Sequence, residues 1–245
     1  GVSWAWYSGG WNDAIAGKPN FLFQFHHQPF AYYANYADNT PGRAAHLRDE
    51  QDFMRALTTN DLPAVSFVKP LGPDNEHPGY ASLQQGQQHV ADLVAAVQNS
   101  PYWADTAIII TYDEHGGRWD HVAPPVEDKW GPGSRVPAII ISPFAKKGYV
   151  DHTQYETVSI LKFIEKRLDL APLATRAAAA NDLTNAFDFS QTVPGMPNTG
   201  NGDGLQLVGA SGPVVVPGCV CTVIVGPVAK PDVVSVPTIV IVTGP

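Results

Sequence analysis

The chain has 245 residues, 44% of them hydrophobic, and a formal net charge of −8 at neutral pH. That length buries a full core as one large domain or two small ones. The negative balance argues against a nucleic-acid backbone as the main partner, and no apolar run approaches the roughly 18 residues of a membrane span, so stable membrane insertion is not expected.

Residues 2–7 read as a strand with aromatic payload, closed by the turn signal Ser8-Gly9-Gly10. The apolar run 21–25 leads into His26-His27. Two adjacent histidines there suit a metal or an anion, or else packing among the neighbouring Phe and Tyr residues. Tyr32, Tyr33 and Tyr36 are expected in a wall or core layer. Residues 48–58 have a helical pattern, with Asp49 and Glu50 in the first turn and Phe53, Met54 and Leu57 on one stripe. Residues 62–68 form the next strand, and the loop after it carries His77. Residues 82–99 form an amphipathic helix with Val90, Leu93, Val94 and Val97 inward and His89 at its boundary.

The stretch TAIIITYDEHGGRWDHVAPP, residues 106–125, organises the chain. Ala107 to Tyr112 is short, apolar and rich in β-branched residues, as in a strand buried on both faces of a parallel sheet. It ends without a spacer in Asp113-Glu114-His115-Gly116-Gly117. Ligands of open α/β sheets bind just beyond the carboxyl ends of strands. Adjacent carboxylates repel unless a cation or proton sits between them, and Asp120-His121 follows before Pro124-Pro125. A solvated loop is the alternative, but the buried strand and the two acid/His groupings favour a site.

Residues 136–142 are another buried strand. Thr153 and Glu156 have the spacing of a capping box opening a helix, with Ile160, Leu161, Ile164 and Leu168 inward. Strands alternating with helices give an α/β fold with a mostly parallel sheet. Two units are expected, residues 1–193 and a Gly/Pro/Val-rich tail or linker at 194–245, in which 214–216 and 238–242 are weak strands. Cys219 and Cys221 stand too close for an unstrained mutual bridge and do not report a compartment.

Several stretches match, in one order, a known family: SWAWYSGGW at 3–11, FQFHHQPFAYYANYA at 23–37, LPAVSFVKP at 62–70, DNEHPGY at 74–80, TYDEHGGRWDHVAPP at 111–125 and RVPAIIISPFAKKGYVDHT at 135–153. Through them, residues 1–190 resemble the C-terminal portion of bacterial acid phosphatases of the phosphoesterase family, which also contains bacterial phospholipases C. The resemblance implies an alkaline-phosphatase-like α/β/α sandwich, a periplasmic or secreted location and hydrolysis of phosphate esters. It implies metal binding by Asp113 and Glu114, catalytic roles for His27 and His77, and substrate contacts from His26, His27, His77 and His115.

The implied cofactor is one divalent ion, Ca²⁺, Mg²⁺, Mn²⁺ or Zn²⁺, and the implied partner a small phosphate ester. The family's Glu-Asn metal pair and the hydroxyl nucleophile have no counterpart here. They are expected upstream of Gly1, in an N-terminal part missing from this chain, and the chain alone is expected to be inactive. The HHQPF and DEHGG forms lie closer to the phosphatase branch. A phospholipase C acting on lipid headgroups, a sulfuric-ester hydrolase of the same fold and a non-catalytic metal- or anion-binding fragment are the alternatives.

Overall fold

Helices cover both faces of one eight-stranded sheet in the computed structural model, which describes residues 1–191, 219–226 and 237–243. The strands are β1 (Trp4–Ser8), β2 (Leu47–Arg48), β3 (Val65–Lys69), β4 (Thr106–Tyr112), β5 (Val136–Ser142), β6 (Tyr155–Glu156), β7 (Cys219–Gly226) and β8 (Pro237–Thr243). The helices are α1 (Trp11–Ile15), α2 (Pro41–His46), α3 (Glu50–Thr59), α4 (Leu83–Gln98), α5 (Thr157–Arg167) and α6 (Thr175–Ala179). Strand order is β2-β1-β3-β8-β4-β5-β7-β6. β1 pairs in parallel with β2 and β3, and β6 with β7, while β8 and β5 run antiparallel to both neighbours. Six strands therefore share one direction, as expected for an α/β fold with a mostly parallel sheet.

The two-residue side-chain period of β4 builds the layers. Ile108 and Ile110 join Phe53 and Leu57 of α3 and Leu93, Val94 and Val97 of α4 in one core. Ile109 joins Ile160, Phe163 and Ile164 of α5 in the other. β8 alternates likewise, with Ile239 and Ile241 in the first core and Val240 and Val242 in the second. The strand read from sequence as a weak element of a tail thus lies between β3 and β4, whereas residues 214–216 fall outside the described residues.

Local chemistry moved several boundaries. Arg48 pairs as β2, and α3 starts after Asp49, whose carboxylate accepts from Gln51 N while Asp52 accepts from Asp49 N. Met54 is exposed, and Ala56 takes the place expected for it in the core. Thr153 does not cap α5. The cap is Glu156, whose backbone N–H donates to Ser159 Oγ at 3.1 Å, and Tyr155–Glu156 are extended against β7. Tyr32 and Tyr33 are exposed, so the tyrosine wall reduces to Tyr36, packed against Trp4, Phe30 and His46.

A buried strand in the middle of the sheet makes a specific demand on stability. Ile241→Ala, at a residue 1% exposed, is expected to cost about 2–5 kcal/mol. This appears as a lower urea midpoint with an unchanged slope. An unchanged midpoint would place residues 237–243 outside the cooperative unit.

Candidate active site

β3 and β4 point the same way with β8 between them, so Lys69 and Asp113 emerge at one end of the sheet, the carboxyl end of both strands. The Lys69 ammonium donates to Asp113 Oδ2 at 2.9 Å, and the lysine is only 5% exposed. Burial lowers its proton affinity, and the Asp113 carboxylate opposes that shift. Asp113 Oδ1 accepts from the Glu114 backbone N–H at 3.1 Å, which fixes the carboxylate between neighbouring donors.

Glu114 faces the opposite situation. Its Oε1 is shielded from water with no hydrogen-bond partner among the described residues. Burial first, then the Asp113 charge, raises its pKa to about 7. Positive φ at Gly116 and Gly117 turns the chain just beyond this pair, a backbone conformation that glycine adopts without steric cost. Asp120 does not enter the cluster. It takes two hydrogen bonds from the Arg135 side chain, at 2.8 Å each, and ties the loop to the start of β5.

The two histidines after the aromatic run do not follow a strand. They sit in a short 3₁₀ turn, Phe25–His27, held against β1 by Trp6 Nε1 donating to His27 O at 2.7 Å and Gln28 Nε2 donating to Trp6 O at 3.3 Å. His27 is 7% exposed and His26 is open to solvent, with their rings edge to face at 4.6 Å. Burial, then the Lys69 charge, lowers the His27 pKa to about 3. The same two causes lower His26, while Asp113 pulls it upward. Both histidines also sense His77. His26, His27, Lys69, His77 and Asp113 thus lie within electrostatic reach of one another, and Glu114 acts on Lys69.

His77 is held by its loop. Its backbone N–H donates to the buried Asn75 Oδ1 at 3.0 Å, and its ring stacks on Tyr80 at 4.1 Å. Nδ1 lies 2.7 Å from Pro78 O, so Nδ1 carries the proton and Nε2 the lone pair in the neutral ring. The preceding Glu76 has φ 59° and is buried, accepting a hydrogen bond from Tyr112 OH. A Cβ on Gly86 of α4 would meet Glu76 Cγ at 2.2 Å, so glycine there lets the loop settle on the helix.

His115 is half-buried, with Nδ1 shielded and unpartnered among the described residues. His89 pairs with Glu50 at 3.0 Å, linking α3 to α4. Lys69 and Glu76 were not singled out in the sequence. A lysine directly ending a buried strand, in Phe67-Val68-Lys69-Pro70, was the available signal.

The fit to a metal ion is incomplete. No group of three or more His, Cys, Asp or Glu side chains among the described residues is placed to hold one. Asp113 and Glu114 supply two oxygen donors, one already bonded to Lys69. Ser66, Thr111 and Ser142, hydroxyls expected from the sequence near the carboxyl ends of their strands, are all buried, and Ser66 stands at the start of β3. Thr111 Oγ1 donates to Pro137 O, and Ser142 Oγ accepts from Phe144 N.

The model of the phosphoesterase family matches residues 1–171. The non-hemolytic phospholipase C of Pseudomonas aeruginosa is 28% identical over 62% of this chain and 28% of its own length. Phospholipase C B of Mycobacterium tuberculosis is 28% identical over 94% of this chain and 48% of its own. Non-specific phospholipase C6 of Arabidopsis thaliana is 31% identical over 49% of this chain and 29% of its own. The chain thus spans between 28% and 48% of the length of these curated relatives.

The burial of His27 has a consequence for acid stability. Its pKa in the fold, about 3, lies below the ordinary 6.5. The stability this gives is complete above pH 6.5 and is lost as pH falls towards 3. Glu114, raised from 4.5 to about 7, acts in the opposite sense, and comparing a His27 variant with its parent at each pH cancels it. His27→Asn is expected to lose less stability than the parent between pH 7 and pH 5, read from urea midpoints. Identical pH dependence would show that His27 is not buried neutral.

Proposed function

Because the chain belongs to the phosphoesterase family, we propose that it carries part of an enzyme that hydrolyses phosphate monoesters. The observation that carries this reading is the convergence of the Lys69–Asp113 pair with Glu114, His26, His27 and His77 at the carboxyl end of β3 and β4. Phosphoryl transfer asks for positioning and for charge neutralisation on the phosphoryl oxygens. The Lys69 ammonium provides positive charge, and the open His26 ring provides a neutral hydrogen-bonding group. His77, with Nδ1 tied to Pro78 O, takes up and returns a proton at Nε2, as protonation of a leaving-group oxygen requires. His27 supports His26 from beneath.

One divalent ion, Ca²⁺, Mg²⁺, Mn²⁺ or Zn²⁺, belongs to this proposal. Asp113 and Glu114 are two of its ligands, and the remaining ligands and the nucleophile come from outside the described residues. Phosphate-ester hydrolysis is then a property of the longer protein, and residues 1–245 alone are catalytically silent. The buried Ser66, Thr111 and Ser142 hydroxyls support that. A second reading, phospholipase C activity on phospholipid headgroups, is favoured by the names of the relatives.

Full-length protein assayed on p-nitrophenyl phosphate and on phosphatidylcholine vesicles, with each cation and without, separates these readings. Preferred turnover of the soluble ester supports the monoesterase, and preferred turnover of the lipid supports the phospholipase. Asp113→Ala is expected to lose about 10²-fold or more in kcat. His89→Ala, altering only the bridge to Glu50, is expected to keep its activity. Equal losses would show that stability was being read. Turnover by residues 1–245 that vanishes in Asp113→Ala would locate a nucleophile within this chain and overturn the proposed division.

A further inference from the structure

A cavity of about 500 Å³ opens beside Glu114 and His115. That volume falls within the range of small-molecule sites. Its apolar lining comes from separate elements: Leu83 at the start of α4, Tyr112 at the end of β4, Pro137 in β5, and Trp119 from the loop after β4. Trp119 is 86% exposed, so an indole face stands at the cavity without a core to cover it. Glu114 and His115 belong to the polar lining, and their Oε1 and Nδ1, unpartnered among the described residues, are the kind of buried atoms that a ligand satisfies.

Two of the other acids of the lining have partners of their own. Glu76 already accepts from Tyr112 OH, and Asp120 is bound twice by Arg135. The Arg118 charge acts on the Tyr112 phenol. The indole of Trp119 and the phenol of Tyr112 suit a flat ring, whose face stacks on either.

We propose that this cavity binds the organic half of the substrate, and that the favoured substrates are phosphate esters of ring-bearing alcohols or phenols, with Trp119 as the residue that sets the preference. The proposal deepens the phosphatase reading and rests on it for the position of the phosphate.

The test uses binding, since it must not depend on turnover. Phenylphosphonate, methylphosphonate and phenol are titrated calorimetrically into the chain, its Trp119→Ala variant and its Trp119→Phe variant. Phenylphosphonate is expected to bind about tenfold more tightly than methylphosphonate. Trp119→Ala is expected to remove that preference and Trp119→Phe to keep most of it. Trp119 is exposed, so loss of the fold does not imitate the result. Equal affinity of the two phosphonates for the parent overturns the ring site and leaves the phosphate reading standing. Phenol binding that depends on Trp119, with neither phosphonate bound, upholds the ring site and removes the phosphate reading. No binding by any probe overturns both.

Discussion

The ion pair between Lys69 and Asp113 is the contact on which the site depends. It joins the ends of two strands that are not neighbours, across the start of β8. Taking an ammonium out of water is costly unless a charge and good geometry compensate it. Asp113 supplies that charge, and it is also the residue that makes ionisation of Glu114 harder. Lysine, aspartate and glutamate therefore form one electrostatic unit: the cation settles the first carboxylate, and the second retains a proton up to near neutrality. Any ligand that enters competes within this balance.

Two other constraints place the imidazoles around that unit. The His26–His27 turn is hung on β1 by Trp6 and Gln28, so its position follows from the sheet. The His77 loop rests on α4, because Gly86 leaves room for Glu76, and on β4, because Tyr112 OH donates to Glu76. Burial then sorts adjacent residues into different states. His27 is enclosed and held neutral, while His26 remains open and near enough to feel Asp113. A sheet with helices packed on both faces supplies the rigidity that such placement needs.

Much of this was legible in the sequence where period and burial agree. The all-apolar run before Asp113 announces a strand buried on both faces, and the acids that follow it announce the carboxyl end of the sheet. Matched stretches spread across residues 3–153 announce the family. The rest depended on contacts between distant residues. β5 reads as a buried strand, but its antiparallel direction is set by pairing with β4 and β7. Thr153 has capping chemistry, yet its segment is drawn out towards β7 and Glu156 becomes the cap. β8 has the apolar run of a core strand, and only its partners β3 and β4 show where that run belongs. Lys69 looked like the end of a strand until Asp113 was placed opposite it.

The central claim is that one phosphate-sized site is formed where His26, His77 and the Lys69–Asp113 pair meet. Side-chain NMR of the histidine rings during titration with inorganic phosphate tests it most directly. The account predicts saturable shifts at His26 and His77, with His89, held by Glu50, unmoved. Shifts at His89 of the same size as those at His26 and His77, or no saturation at either of these two, would contradict it.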